Sequence, residues 1–363
     1  MLSARNKKFL HAILLTGAEY DTVQKILETI GSLESAWRAT ASELESAGVG
    51  RERAEAIAGV QKSLDPDDEM RKLVGQMIAL VARDDPEFPK ELLEIPSPPF
   101  TLYIKGRLTT RKPRLAVVGT RKATIYGKQA CEKIIHDLAD KTDLEIVSGL
   151  AQGIDTEAHR HALKNNLKTI GVLGSGIDRQ SFFPYENWNL AEEIIRKGGA
   201  VISEYPPGTP ALKHHFPARN RIISGLALAT LVVEAPEKSG ALITANFALE
   251  QGRDVLAIPG QMFSLNALGV HRLIQSGAKL VTSADDIIDE LGLERKSISQ
   301  KAETLLTDQK EKIILSILAE PQSVDDIKLK AGLTTPEIVS CLTLLELKGF
   351  IRPMGQNKFQ RVS

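Results

Sequence analysis

The sequence is short of the features that usually announce a dedicated chemistry. Its 363 residues include only two cysteines, Cys131 and Cys341. They are too few and too far apart for a disulfide framework or a cysteine metal site, and this usage fits a reducing cytoplasm. No stretch approaches the roughly 20 apolar residues that a membrane-spanning helix needs. The start, MLSARNKKFLHAILLTGAEY, is basic with a short apolar run. It has no small-residue cleavage site, and His11 and Thr16 interrupt its apolar positions, so a folded helix is expected there rather than a signal peptide. Net charge is also missing, with 46 Lys and Arg against 46 Asp and Glu. Residues 1–100 are acidic, with 12 basic and 17 acidic side chains, and the remainder is close to balanced. Any binding of nucleic acid must therefore come from a local cluster of cations and not from a global field.

Familiar site motifs are missing too. The dinucleotide fingerprint GxGxxG does not follow the first strand of the central region, and no ribose-binding acid ends the second, which disfavours a dinucleotide oxidoreductase. Lys238-Ser239 lacks the preceding glycines of a phosphate-binding Walker loop. His159 and His161 are two residues apart on an expected helix and so face apart. His214 and His215 are adjacent. Neither pair has metal-ligand spacing, and neither a metal nor a cofactor is expected. His159 follows Asp155 by four residues and is expected to pair with it.

What the chain does contain is a repeated unit. Arg114 to Gly127, RLAVVGTRKATIYG, is a short apolar run closed by Gly-Thr-Arg and followed by a helical pattern. A short apolar run closed by turn residues reads as a buried parallel strand. The loop that follows points backbone amides and a helix N-terminus at one place, which suits a phosphate. Further strands are expected at 145–148, 169–173, 200–203, 230–233, 255–258 and 279–281, with helices between them. Leu102-Tyr103-Ile104 reads as a short edge strand. Alternating strands and helices imply a parallel sheet covered on both faces. Ligands of such sheets sit beyond the carboxyl ends of the strands. Those loops include GTRKATIYG, SGLAQGID, SEYPPGTPALKHHFPARN and EAPEKSGALIT, rich in glycine and hydroxyl residues. In SGLAQGID, Asp155 is expected to cap the next helix. In KHHFPARNR, three cations stand beside Phe216, the combination that single-stranded nucleic acid requires.

The flanks read differently. Residues 1 to about 60 are helical. Gly48-Val49-Gly50 resembles a helix-hairpin-helix turn, but the surrounding acidity favours a purely structural turn. Residues 62–70 read as a polar joint, and prolines 86, 89, 96, 98 and 99 exclude a long helix before the sheet. Residues 292–308 read as a linker. Helices at 310–319, after Ser323 and after Thr334, then two strands around Gly355, have the order of a winged helix. Its third helix carries Glu337 and Glu346 and little basic charge, so a structural or protein-contact role is expected. The division expected overall is 1–70 helical, 71–291 sheet domain and 305–363 winged helix.

The segments VVGTR, SGLAQGID, VLGSGID, FPYEN, ISEYPPG, FPARNRIISG, LVVEAPEKSGALITANFALEQGRDVLAIPG and LIQSGA resemble, in unbroken order across about 102–280, the DNA-processing protein A (DprA/Smf) family. The resemblance implies an α/β fold: an extended Rossmann-like core flanked by a sterile-alpha-motif-like helical domain and a winged helix. It also implies a homodimer that binds single-stranded DNA, protects incoming DNA in natural transformation and loads the RecA recombinase in the cytoplasm. These proteins are not regarded as enzymes. Carried over position by position, it implies DNA contacts at Gly119, Thr120 and Arg121, and at Lys213, Phe216, Arg219, Asn220 and Arg221. It implies further contacts at Lys238, Ser239, Gly240 and Thr244, with Gly149 and Gly153 offering amides from the SGLAQGID turn. Arg121, Lys213 and Arg219 are expected to hold phosphates and Phe216 to stack a base. His271 stands where the family usually has asparagine. The alternative is a nucleotide-hydrolysing enzyme resembling the phosphoribohydrolases of the "lonely guy" type. There the glutamate of a PGGxGTxxE loop is catalytic, whereas Glu250 here lies ten residues beyond Gly240.

Overall fold

In the computed structural model, residues 4–109, 112–296, 308–355 and 357–362 are described. Most of the expected linker, and the boundary at residue 305, lie outside them. The chain divides into two compact units, one reaching to residue 293 and one comprising 294–363 with 140–142.

The first unit is organised on a nine-stranded sheet of order β1-β2-β6-β5-β4-β3-β7-β8-β9. The apolar runs form β3 (Arg114–Val118), β4 (Glu145–Ser148), β5 (Thr169–Leu173), β6 (Ala200–Ser203), β7 (Ala229–Val232), β8 (Asp254–Ala257) and β9 (Lys279–Leu280). All of these pair in parallel. Two antiparallel strands extend the sheet, β1 (Ala79–Ala82) and β2 (Thr101–Gly106). The sheet is therefore mixed rather than wholly parallel. Leu102-Tyr103-Ile104 is not at the edge as expected, because β1 covers it. The burial pattern explains the placement: β2 is buried from Thr101 to Ile104, whereas β1 is short and partly exposed, as an edge tolerates. The proline-rich stretch between them holds only a four-residue helix, α7 (Lys90–Leu93).

Helices cover both faces. On one lie α8 (Ile125–Lys141), α9 (Ile154–Lys164) and α14 (Ala284–Glu290), whose apolar sides pack on Leu115, Val117, Ile146 and Leu231. On the other lie α11 (His215–Gly225), α12 (Gly240–Glu250) and α13 (Leu268–Gln275), packed on Ala116, Val118, Val172 and Val232. α10 (Trp188–Arg196) packs beside β6. From β3 the chain moves outward through β4 and β5 to β6; it then returns to β7, beside β3, and moves the other way. The reversal lies between β3 and β7, where open sheets of this kind hold their ligands.

The N-terminal helices are α1 (Ala4–Leu15), α2 (Tyr20–Ile30), α3 (Leu33–Arg38), α4 (Ala41–Ser46), α5 (Arg51–Val60) and α6 (Pro66–Gly75). The expected joint at 62–70 becomes helical at Pro66, with the Asp65 side chain accepting from the Asp67 amide. These helices share a hydrophobic core with Leu80, Tyr103, Leu173 and Val201 of the sheet. His11 Nδ1 and the Tyr103 hydroxyl lie 2.9 Å apart at that junction. Val49 of the glycine turn is buried, as a structural turn requires.

The second unit contains α15 (Gln309–Ile317), α16 (Val324–Ala331) and α17 (Thr335–Leu347) with a three-stranded sheet of order β10-β12-β11. Its strands are β10 (Gln322–Ser323), β11 (Ile351–Gly355) and β12 (Lys358–Arg361). Ser323 and Thr334 cap α16 and α17 in reciprocal capping boxes with Asp326 and Glu337. Ile314, Ile327, Ile338 and Leu345 fill its core. This is a winged helix. Glu337 of α17 serves the unit itself, pairing with Lys310 at 2.7 Å.

Two imidazoles are held neutral by burial. His11 is pushed down to about 4 and His159 to about 3. The unfolded chain takes up protons at both sites as the pH falls through about 6.5, and the fold does not, so stability decreases from pH 6.5 toward 4. Buried Asp155, raised to about 6, acts in the opposite sense over part of that window. One carboxyl does not offset two imidazoles. The expected outcome is a lower urea midpoint at pH 5 than at pH 7; a higher midpoint at pH 5 contradicts neutral burial of the pair.

Candidate functional site

The loops beyond β3, β4, β5, β6 and β7 line a cleft of about 690 Å³. Gly119, Thr120 and Arg121 enter it from the turn after β3, and Asp155 from the first turn of α9. Lys213, Phe216, Arg219 and Asn220 come from the approach to α11 and its first turns. Lys238, Ser239, Gly240 and Thr244 come from the start of α12. Eleven of the fourteen expected residues therefore line one cavity. Gly149, Gly153 and Arg221 are the three that do not.

The β3 turn is fixed by the backbone. The Thr120 amide donates to the Glu234 carbonyl at 2.7 Å, and the Ile154 amide donates to the Thr120 carbonyl at 3.2 Å. The Glu234 carboxylate, itself buried, accepts from the Thr124 amide at 2.9 Å and from its hydroxyl at 2.6 Å. Gly153 precedes α9 at φ +82°, and a Cβ there would stand 2.3 Å from the Thr120 carbonyl. Only glycine meets both conditions. Gly153 thus occupies the capping position expected of Asp155, which is the second residue of the helix.

Asp155 and Arg219 form the floor. Both are nearly fully buried. Arg219 Nη1 donates to the Gly149 carbonyl at 2.7 Å and also to the Val172 carbonyl. Asp155 Oδ2 accepts from the Gly149 amide at 3.2 Å. Gly149 leaves room for both: a Cβ there would lie 2.7 Å from Asp155 Oδ2 and 2.9 Å from Arg219 Nη2. Burial drives the Asp155 carboxyl up to about 6 against the pull of Arg219, and burial lowers Arg219 to about 10 against the pull of Asp155. Arg219, expected to hold a phosphate, lines the cleft but is 5% exposed, and its Nη1 is turned to two carbonyls below the surface. Arg221 is also occupied, by Glu204 at 2.7 Å and the Ser97 carbonyl at 2.9 Å. His159 does not pair with Asp155; its Nδ1 meets Thr169 Oγ1 at 2.7 Å.

The cations that remain available are Arg121, Lys213 and Lys238. All three are exposed, and among the described residues none pairs with a carboxylate. Arg121 lies over the Phe216 ring, with its Cζ 5.7 Å from the centroid. Phe183, from the loop after β5, adds a second ring 5.6 Å from Phe216 and is 46% exposed. Residue-by-residue sequence reasoning missed Phe183, although an exposed-looking Phe-Phe-Pro in a strand-end loop is the signal that marks it. Ser239 caps α12 by accepting from the Ala241 amide at 3.2 Å, and Asn220 Nδ2 donates to the Gly240 carbonyl at 3.2 Å. Thr244 is buried, with its hydroxyl toward the same carbonyl at 3.4 Å. Asn220 and Thr244 therefore hold the α12 start in place. Chemically, the cleft offers separated cations, aromatic faces and a helix N-terminus to an anionic ligand with planar groups.

Residues raised in other readings lie elsewhere. Glu250 ends α12, exposed, and does not line the cleft. His271 Nε2 meets the Gly260 carbonyl at 3.1 Å and also lies outside it. Among the described residues, no group of three or more His, Cys, Asp or Glu could hold a metal ion.

The two kinds of arginine separate by stability. Arg219→Ala leaves Asp155 buried without its countercharge and is expected to cost about 3–5 kcal/mol. Arg121→Ala is expected to stay within about 0.5 kcal/mol of wild type. Urea unfolding of the two variants measures this, and equal small losses would contradict the structural role of Arg219.

A family described as DNA recombination-mediator protein A matches residues 79–292, and a second, described as the DprA winged helix domain, matches 298–357. Protein Smf of Escherichia coli is 38% identical over 293 residues, covering 78% of each chain. The DNA processing protein DprA of Streptococcus pneumoniae is 49% identical over 204 residues, covering 56% of this chain and 71% of that one. The crystal structure of the Streptococcus pneumoniae protein superimposes with a TM-score of 0.66 at 38% identity, covering 78% of this chain and 97% of the other. A structure of the Helicobacter pylori protein, whose reported subject is its single-stranded DNA binding mode, gives a TM-score of 0.52 at 26% identity over 58% of this chain and 95% of that one. The matched segment contains the whole cleft and both carboxylates that brace it, and the chain belongs to the DNA recombination-mediator protein A (DprA/Smf) family.

Proposed function

We propose that the protein is a single-stranded-DNA-binding recombination mediator and that the cleft between β3 and β7 is its DNA site. The observation that carries this reading is the separation of charges in the cleft. Arg121, Lys213 and Lys238 stand free at the surface beside two aromatic rings, while the one lining carboxylate, Asp155, is buried against Arg219. Free cations bind successive phosphates, and ring faces stack bases without regard to sequence. Gly119, Thr120, Ser239 and Gly240 bring backbone amides and hydroxyls to the same wall. Gly149, Gly153, Arg219, Asn220, Arg221 and Thr244 support that wall. A duplex keeps its bases stacked on one another, so the rings favour a single strand.

Family membership and the single-stranded DNA mode described for the Helicobacter pylori relative support this assignment. The finer parts of the proposal are protection of incoming DNA in natural transformation, loading of RecA, action as a homodimer and a cytoplasmic location. They rest on the family resemblance. The division into 1–70, 71–291 and 305–363 is proposed with them. No helix among the described residues is long and apolar enough to cross a membrane. The nucleotide-hydrolysing alternative gains no support from the position of Glu250.

Fluorescence anisotropy of a labelled single strand and an equal-length duplex, at several salt concentrations, tests the reading. Tighter binding of the single strand is expected. Lys213→Ala and Arg121→Ala are each expected to weaken it for all sequences and to reduce the slope of log affinity against log salt by about 0.7. Unchanged affinity in both folded variants would overturn the site.

A further inference from the structure

We propose that the cleft also takes a free nucleoside 5′-diphosphate, in competition with the nucleic-acid strand. The inference deepens the reading above and rests on the same site. A surface that only follows a strand is an open groove carrying cations and rings. Here the loops converge on one half-open cleft of about 690 Å³. That volume falls within the roughly 300–1,000 Å³ of small-molecule sites. It also lies at the reversal between β3 and β7, where sheets of this kind hold mononucleotides and dinucleotides.

The wall carries both halves of a nucleotide's chemistry. Phe183 and Phe216, with ring centroids 5.6 Å apart, offer faces to a base. Arg121, Lys213 and Lys238 come from three different loops and converge on one cavity. Each bridging phosphate of DNA carries one charge, whereas a diphosphate concentrates more charge at one place, which suits cations that converge on one cleft. The start of α12 adds amide donors and the positive end of a helix. Asp155 does not oppose the ligand, because it is buried beneath the wall against Arg219. The turn after β3 and the start of α12 are braced by hydrogen bonds within the protein, from the Thr120 and Thr124 amides to Glu234 and from Asn220 to the Gly240 carbonyl.

The test uses the full chain, a labelled single strand, and ADP, adenosine and pyrophosphate at matched ionic strength. ADP is expected to displace the strand and, at the same concentrations, to raise the melting temperature. Adenosine and pyrophosphate are expected to do so at least tenfold less effectively. Phe216→Ala and Lys238→Ala are each expected to weaken ADP roughly tenfold, with the second variant guarding against a folding defect in the first. Pyrophosphate equal to ADP would show that the cleft reads charge alone and would overturn the inference. Strand binding that ADP neither displaces nor accompanies with a thermal shift would also overturn it, leaving the DNA assignment in place. A thermal shift with ADP in a protein that binds no strand would sustain the inference and remove the DNA assignment.

Discussion

A guanidinium buried at the edge of an apolar sheet has to find acceptors, and that requirement organises the site. Arg219 reaches the carbonyls of Gly149 and Val172, at the ends of β4 and β5, while facing the carboxylate of Asp155 on α9. One side chain thus ties two strand ends to the helix that follows the first of them. The tie is costly to break because either charge left alone would be buried without a partner. It also requires a glycine at position 149, since a side chain there would occupy the space of both groups.

With its floor fixed in this way, the cleft divides its polar residues between two tasks. Buried groups brace: Glu234 holds Thr124, Asn220 and Thr244 hold the Gly240 carbonyl, Asp155 holds the Gly149 amide and Arg219 holds the Gly149 carbonyl. Exposed groups remain free to meet a ligand, namely Arg121, Lys213 and Lys238 with the rings of Phe216 and Phe183. Such a division favours binding over chemistry. The buried Asp155 carboxyl, raised by its surroundings, is committed to a backbone amide and a neighbouring arginine. Electrically neutral as a whole, the protein nonetheless presents a cationic wall, because the one carboxylate that lines the cleft, Asp155, is buried.

Much of this arrangement was legible in the residues. Short apolar runs closed by glycine located the parallel strands to within about a residue, since a strand buried on both faces leaves an unbroken apolar signature. Helix starts at 324 and 335 followed from Ser323 and Thr334. The order of the strands was not legible, because periodicity records burial and not neighbours; β1 was therefore unseen and β2 placed at the edge. In the site, the segment KHHFPARNR located the cations but not their duties. Lys213, Arg219 and Arg221 look alike in one dimension. Only the packing of α11 against β5 sends Arg219 inward and leaves Lys213 outside. Phe183 escaped notice for the converse reason: the Phe-Phe-Pro segment marks a strand-end loop, but not which of its two rings faces the cleft and which, as Phe182 does, fills the core.

Photo-crosslinking tests the central claim most directly. A short single strand carrying 5-iodouracil at each position in turn is irradiated with the full-length protein, and the modified peptides are identified by mass spectrometry. The account expects adducts on Phe216 or Phe183, lost when the Lys213→Ala variant is used under the same salt conditions. Adducts confined to the helices of residues 4–75 or to the winged helix of 309–361, with the cleft unmodified, would contradict it.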